Sequence, residues 1–216
     1  MARVTLSFDN GPDPEVTPVV LDILQRHHVL ATFFVVGEKL AEPGCYALAE
    51  RAKAEGHWIG NHTFTHKLPL GLDDDPTAPN REIGQTQAVI GKLSEADKLF
   101  RPFGSGGILD SRVLSCVARD YLLDNAFTCV TWNSVPGDWK DAYGWMETAL
   151  DEVAAQDWSL VVLHDIPGAC VAKLDTFITA LEAAGHELIQ AFPPDCVPIE
   201  RGQLVRPEAL PNISKT

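Results

Sequence analysis

A chain of 216 residues with 45% hydrophobic content is long enough for a single domain with a sizeable core. Its 30 acidic against 17 basic residues leave a formal net charge of −13. There is no basic excess to displace counterions, which excludes nucleic acid and anionic membrane surfaces as expected partners. No apolar run reaches the length of a membrane span, and the first residues enter a strand without a charged and apolar leader. The five cysteines, Cys45, Cys116, Cys129, Cys170 and Cys196, are odd in number and lack Cys-x-x-Cys spacing. They read as reduced thiols, and a cytoplasmic location is expected.

In chain order, residues 3–9 predict a strand, 15–28 a helix with an apolar face of Val19, Val20, Ile23 and Leu24, and 30–36 a buried strand. Residues 45–55 predict a helix stopped by Gly56, and 57–61 a third strand. A loop over 71–79 carries three consecutive aspartates and two prolines. Helices are then expected over 81–93, 111–119, 145–155 and 171–184, and strands over 99–100, 122–131, 160–164 and 187–192. Near-continuous apolar strands alternating with helices predict a parallel sheet covered by helices, with chemistry at the carboxyl ends of the strands.

The chemistry-bearing residues fall at those ends. Asp9 closes the first strand, and Asn61-His62-Thr63-Phe64-Thr65-His66 follows the third. A carboxylate can take a proton from water, while two imidazoles can hold a divalent ion that activates the water. His62 and His66, four apart, are expected on one helical turn facing the same way. Asp13, before the first helix, reads as its cap. His27, His28, His57 and His186 read as structural or surface residues.

Ser7-Phe8-Asp9-Asn10-Gly11-Pro12 resembles the Thr-Phe-Asp-Asp-Gly-Pro motif of the polysaccharide deacetylases (carbohydrate esterase family four, the NodB-homology domain). His62-Thr63-Phe64-Thr65-His66 resembles that family's second motif. Phe100-Arg101-Pro102-Phe103-Gly104, Trp132 to Trp139, and Leu163-His164-Asp165 continue the series in order. The resemblance implies an α/β fold in one domain, a distorted, TIM-barrel-like (β/α)7 barrel over residues 1–192. Residues 193–216 are expected as a tail packed on it or extending from it.

It also implies roles. Asp9 is the base and His164 the acid that protonates the leaving amine. Arg101 orients Asp9, and Asp138 in turn orients Arg101. Asn10, His62 and His66 hold a divalent metal, zinc first, with cobalt, nickel or manganese as alternatives. Thr63 fixes the second histidine through its hydroxyl. Phe103, Trp132, Trp139 and Leu163 bind substrate, with a main-chain N–H near Phe103 for the oxyanion and Leu163 shaping a pocket for the acyl methyl group.

Three departures stand out. Asn10 replaces an aspartate, so the third donor is an uncharged amide oxygen and weaker metal binding is expected. Val135 replaces another aspartate, and Arg-Pro-Phe-Gly is one residue shorter than the family form. The expected function is hydrolysis of a C–N amide bond, removing an acetyl or similar group from an N-acylated amino sugar. The alternatives are a metal-independent small-amide hydrolase of the allantoinase-like branch and a catalytically silent carbohydrate-binding protein.

Overall fold

The computed structural model describes residues 1–214. Alternation in the first strand, β1 (Arg3–Asp9), sets the architecture. Val4, Leu6 and Phe8 point to the helices and join the main core, while Ser7 and Asp9 face the opposite way, into the sheet's concave side. The other parallel strands are β2 (Thr32–Val35), β3 (Trp58–Asn61), β4 (Leu99–Phe100), β5 (Thr128–Cys129), β6 (Trp158–His164) and β7 (Glu187–Leu188). They run in the order β6-β1-β2-β3-β4-β5, with β7 also pairing β1. Two short antiparallel strands, β8 (Ile199–Glu200) and β9 (Gln203–Leu204), extend the sheet beyond β5.

A bridge between Ser134 and Val161, with Val162 N–H donating to the Ser134 carbonyl at 3.0 Å, links the segment after β5 back to β6. The sheet therefore curls almost into a closed ring, a distorted (β/α)7 barrel. Helices α1 (Thr17–His27), α3 (Cys45–Ala54), α6 (Trp145–Ala154) and α7 (Val171–Ala183) cover its outer face, with a short α2 (Gly37–Leu40) after β2. A second apolar cluster packs α5 (Cys116–Asp124) against β4, β5 and β8. A third, of Phe34, Leu99, Val130, Leu160 and Cys196, fills the barrel interior below the strand ends. No described helix is long and apolar enough to cross a membrane, and none of the five cysteines forms a disulfide among the described residues.

Local chemistry explains where elements stop. Asp13 Oδ1 accepts the Glu15 and Val16 N–H groups at 2.9 and 3.0 Å, so Asp13 holds the turn that leads into α1, whose own N-cap position, Val16, has no side-chain cap. The helix expected over 111–119 instead spans Cys116–Asp124, because Ser115 caps it by accepting the Ala118 N–H at 3.2 Å. Leu122 and Leu123 thus belong to a helix, and the strand expected over 122–131 shrinks to Thr128–Cys129. The helix expected over 81–93 begins as a π-turn at Asn80–Gly84, continues as α4 (Gln85–Ile90) and ends as a 3₁₀ turn. The strand expected over 187–192 pairs only at Glu187–Leu188.

The segment after residue 192 is more than a surface tail. Cys196 and Ile199 are fully packed, and the Thr131 N–H donates to the Cys196 carbonyl at 2.7 Å. A final short α8 (Leu210–Ile213) buries Ile213 against the second cluster.

The turn after β1 rests on Asp165. A Cβ added to Gly11 would lie 2.0 Å from Asp165 Oδ2, so only glycine fits there. Thr17 Oγ1 donates to Asp165 Oδ2 at 2.6 Å, while Asp165 Oδ1 is buried without a partner. Burial pushes the Asp165 carboxyl up to about 7, against the pull of the Thr17 bond. The folded state therefore holds this proton more tightly than the unfolded chain, whose carboxyl sits near 3.8. The stabilisation is complete below the unfolded value and is lost as pH rises through about 7. Asp165→Asn should gain stability relative to wild type between about pH 5 and pH 8, at about 1.4 kcal/mol per unit over the titrating range. Urea unfolding at both pH values checks this; a difference independent of pH would contradict it.

Candidate active site

At the carboxyl end of the strands lies a cavity of about 260 Å³. Its polar floor is Asp9, Asn10, His62, His66 and His164, and its apolar walls include Phe103, Trp132, Val135, Trp139, Val162 and Ile166. Eight of the eleven residues expected from the sequence line this one space. Arg101, Asp138 and Leu163 do not line it.

Arg101 lies directly beneath the floor with no exposed surface. Its Nη1 donates to Asp9 Oδ1 at 2.9 Å and to Ser7 Oγ at 2.7 Å, and the guanidinium stacks on Phe34 at 4.1 Å. Nη2 and Nε reach the carbonyls of Thr131 and Val130 at 3.3 and 3.4 Å. Burial alone would raise the Asp9 pKa, but the Arg101 charge and nearby imidazoles outweigh it and hold the carboxyl below its ordinary range. Asp9 is thus an anion whose Oδ2 is left for other chemistry.

The Arg101 main chain organises the next residue. Its carbonyl accepts from His62 Nδ1–H at 2.8 Å, which leaves the Nε2 lone pair 3.6 Å from Asp9 Oδ2. That gap is too long for a hydrogen bond, and burial lowers the His62 pKa, so the pair is a neutral imidazole beside a carboxylate. His66 is likewise neutral, pushed down to about 3 by burial and by His62. The two rings lie 4.8 Å apart, and Phe103 stacks on His66 at 4.0 Å.

The expected helical turn for these histidines is absent. Residues 62–66 form an irregular loop in which Thr63 and His66 have φ of 67° and 52°. The Thr63 hydroxyl does not fix the second histidine, since its Oγ1 is buried without a hydrogen-bond partner. The loop is held instead by Asn61 and Glu82. Asn61 Oδ1 accepts the Thr63 N–H at 3.1 Å, and Glu82 Oε2 accepts the Phe64 and Thr65 N–H groups at 3.0 and 2.8 Å. Glu82 was not singled out from the sequence. The available signal was a glutamate on the apolar side of a helix, beside Ile83.

His164 pairs with Asp9 in register across β6 and β1. Its Nδ1–H donates to Asp138 Oδ1 at 2.8 Å, and its main-chain N–H donates to Asp138 Oδ2 at 2.8 Å. Asp138 therefore orients His164 and not Arg101, as the sequence had suggested. Burial disfavours the imidazolium, but the Asp138 bond and the carboxylates Asp138, Asp9 and Asp165 prevail and raise the His164 pKa. Trp139 meets the His164 ring edge-on at 4.6 Å, and Trp132 Nε1–H is spent on the Gly107 carbonyl at 2.8 Å. Leu163 does not shape the pocket. Strand alternation turns it outward into the main core, fully buried, and Val162 takes the wall position. No hydrogen bond among the described residues occupies the Phe103 main-chain N–H.

The donor set fits a divalent ion. Asn10 adopts φ of 72°, and its Oδ1 is buried without a partner in the cavity that the neutral imidazoles of His62 and His66 also line. An orphaned amide oxygen next to an unprotonated Nε2 is what a cation would satisfy. Among the described residues no three His, Cys, Asp or Glu side chains converge as a ligand set, and the Asn10 amide is a further oxygen lining the same cavity as the two imidazoles.

Relatives match this frame. The chain is 31% identical over 189 residues to the peptidoglycan-N-acetylglucosamine deacetylase PgdA of Listeria monocytogenes, covering 87% of this chain but 37% of the relative's length. It is 38% identical over 164 residues to a chitooligosaccharide deacetylase of Rhizobium leguminosarum bv. phaseoli, covering 74% of this chain and 66% of that one. The family 4 acetyl xylan esterase of Clostridium thermocellum, solved with a cobalt ion, superposes with a TM-score of 0.71 at 28% identity, covering 86% of each chain. The polysaccharide deacetylase signature matches residues 2–118, more than half of the molecule, and the chain belongs to that family.

Proposed function

We propose that the protein hydrolyses the C–N amide bond of an N-acylated amino sugar, releasing a small acid and a free amine. One observation carries the reading: Asp9 and His164, neighbours across two strands, face one cavity with their pKa values pushed apart. Arg101 keeps Asp9 ionised, and Asp138 raises the His164 pKa and so favours its protonated form. A base and an acid on one face are the two proton-transfer groups that amide hydrolysis requires.

Asp9 Oδ2 takes a proton from water as the water oxygen bonds to the acyl carbon. Negative charge collects on the former carbonyl oxygen, and the Phe103 N–H is the main-chain donor assigned to it. As the intermediate collapses the C–N bond breaks, and His164 Nε2–H gives its proton to the departing nitrogen. His62 Nε2, His66 and Asn10 Oδ1 are the donors that would hold a divalent ion, whose chemistry is to acidify water and polarise the acyl oxygen. Trp132 and Trp139 offer apolar faces for a sugar ring. The printed activities of the relatives, peptidoglycan-N-acetylglucosamine deacetylase and chitooligosaccharide deacetylase, support an N-acetylated amino sugar as the substrate class. A cytoplasmic location, for which the odd number of cysteines without Cys-x-x-Cys spacing is the support, would favour soluble oligosaccharides over a wall polymer.

Acetate and free amine, quantified after incubation with N-acetylated chitooligosaccharides, should appear in equal amounts. Asp9→Asn should lower the rate by roughly a hundred- to ten-thousand-fold. Chelation should abolish turnover, and added zinc or cobalt should restore it. Full turnover after chelation would favour the metal-independent small-amide hydrolase, and no turnover with metal supplied would sink the deacetylase reading.

Asp138→Asn removes the negative charge that, with the Asp138 hydrogen bond, pushes the His164 pKa up, so the imidazolium should be lost at lower pH. The alkaline limb of kcat/KM should move to lower pH in this variant. A pH profile measured alongside wild type decides; an unmoved limb would remove His164 as the acid.

A further inference from the structure

Glu82 has no place in the chemistry above, yet it is a buried carboxylate with every oxygen engaged. It is 6% exposed and sits in the π-turn Asn80–Gly84 rather than in regular helix. Such turns widen one helical step and turn a side chain toward a neighbouring element. Glu82 Oε2 accepts the Phe64 and Thr65 N–H groups, and Oε1 accepts the Thr65 hydroxyl at 3.0 Å. Ile83, in the same turn, offers its carbonyl to Asn61 Nδ2–H at 2.9 Å, and Asn61 Oδ1 in turn holds the Thr63 N–H. One π-turn therefore secures the strand end before His62 and the two peptides just before His66.

These bonds compensate for a conformation the loop would not adopt alone. Thr63 and His66 both lie at positive φ, a region disfavoured for residues with side chains. On the outer side, Arg81 binds Asp73 Oδ2 at 2.7 Å and Asp75 Oδ2 at 2.8 Å, and its Nε lies 3.4 Å from Glu82 Oε1. The acidic loop over 71–79 thereby buttresses the π-turn from solvent.

We propose that Glu82 is a positioning residue for metal capture: through the Phe64 and Thr65 peptides it sets His66 against His62 and Asn10. The assignment rests on the metal-binding reading of that site. Outer partners of metal ligands typically control affinity by about ten- to a hundredfold.

The test is a Co²⁺ titration of the metal-free full chain, following both the dissociation constant and the visible absorption of bound cobalt. Glu82→Ala should bind at least about tenfold more weakly with an altered spectrum. Glu82→Gln, which keeps an oxygen for the two N–H groups, should stay within about threefold of wild type with the native spectrum. Thr65→Val, which removes the Oε1 hydroxyl bond alone, supplies a milder reading of the same direction should Glu82→Ala not fold. Wild-type affinity and spectrum in a folded Glu82→Ala, or in Thr65→Val where the alanine variant is unfolded, would overturn the proposal. So would a glutamine variant as impaired as a folded alanine variant. No cobalt binding by wild type would overturn the metal site itself and this assignment with it, an outcome distinct from the others.

Discussion

Arg101 is a cation with no exposed surface, placed between β4 and β1 and bonded to Asp9 at 2.9 Å. Desolvating a guanidinium and a carboxylate costs several kcal/mol each, and the pair is tolerable only because its remaining hydrogen bonds are met. Ser7 Oγ, the Val130 and Thr131 carbonyls and the Phe34 ring supply those contacts. A buried pair of this kind is weak evidence for stability, since removing either partner strands the other charge at about 3–5 kcal/mol. Its value lies in what it fixes. The side chain of Arg101 sets the charge on Asp9, and its carbonyl sets the tautomer of His62.

The rest of the floor divides along the same line. Asp9 and Asp138 are both buried carboxylates, but one is paired with a permanent cation and the other with an imidazole. The first stays anionic; the second keeps a proton nearby on His164. His62 and His66, lacking such a carboxylate bond, are left neutral by burial. Two histidines of the cavity are thus neutral while the third is pushed toward its charged form, for reasons visible in their partners. Asn10 completes the set with an oxygen but no charge. A divalent ion held there would be offset mainly by Asp9, itself shared with Arg101, and should be more electrophilic and more weakly held than with a carboxylate as the third donor.

Much of this was legible in the sequence because strand periodicity and motif position act locally. The alternation of Val4, Leu6 and Phe8 against Ser7 and Asp9 already divides core from cavity. The same rule applied to β6 would have turned Leu163 outward and Val162 inward, yet the family pattern drew the methyl pocket to Leu163. The partner of Asp138 depended on which of two strand ends the segment 132–139 approaches, and only the closure of the sheet at Ser134–Val161 decides that. The histidine loop looked helical from its spacing; its positive φ values are paid for by Glu82, sixteen residues after His66 in sequence. Long-range hydrogen bonds of this kind leave no periodic trace. Ser115 did leave one, a cap signal that places α5 five residues later than its apolar pattern suggested.

The central claim is that the floor assembled around Arg101 and Asp9 is a metal site whose third donor is an amide. Anomalous X-ray scattering from crystals grown with cobalt tests it most directly. The account predicts one peak within coordination distance of His62 Nε2, the His66 ring and Asn10 Oδ1. No peak in the cavity, or a peak on the histidines with the Asn10 side chain turned away, would contradict it.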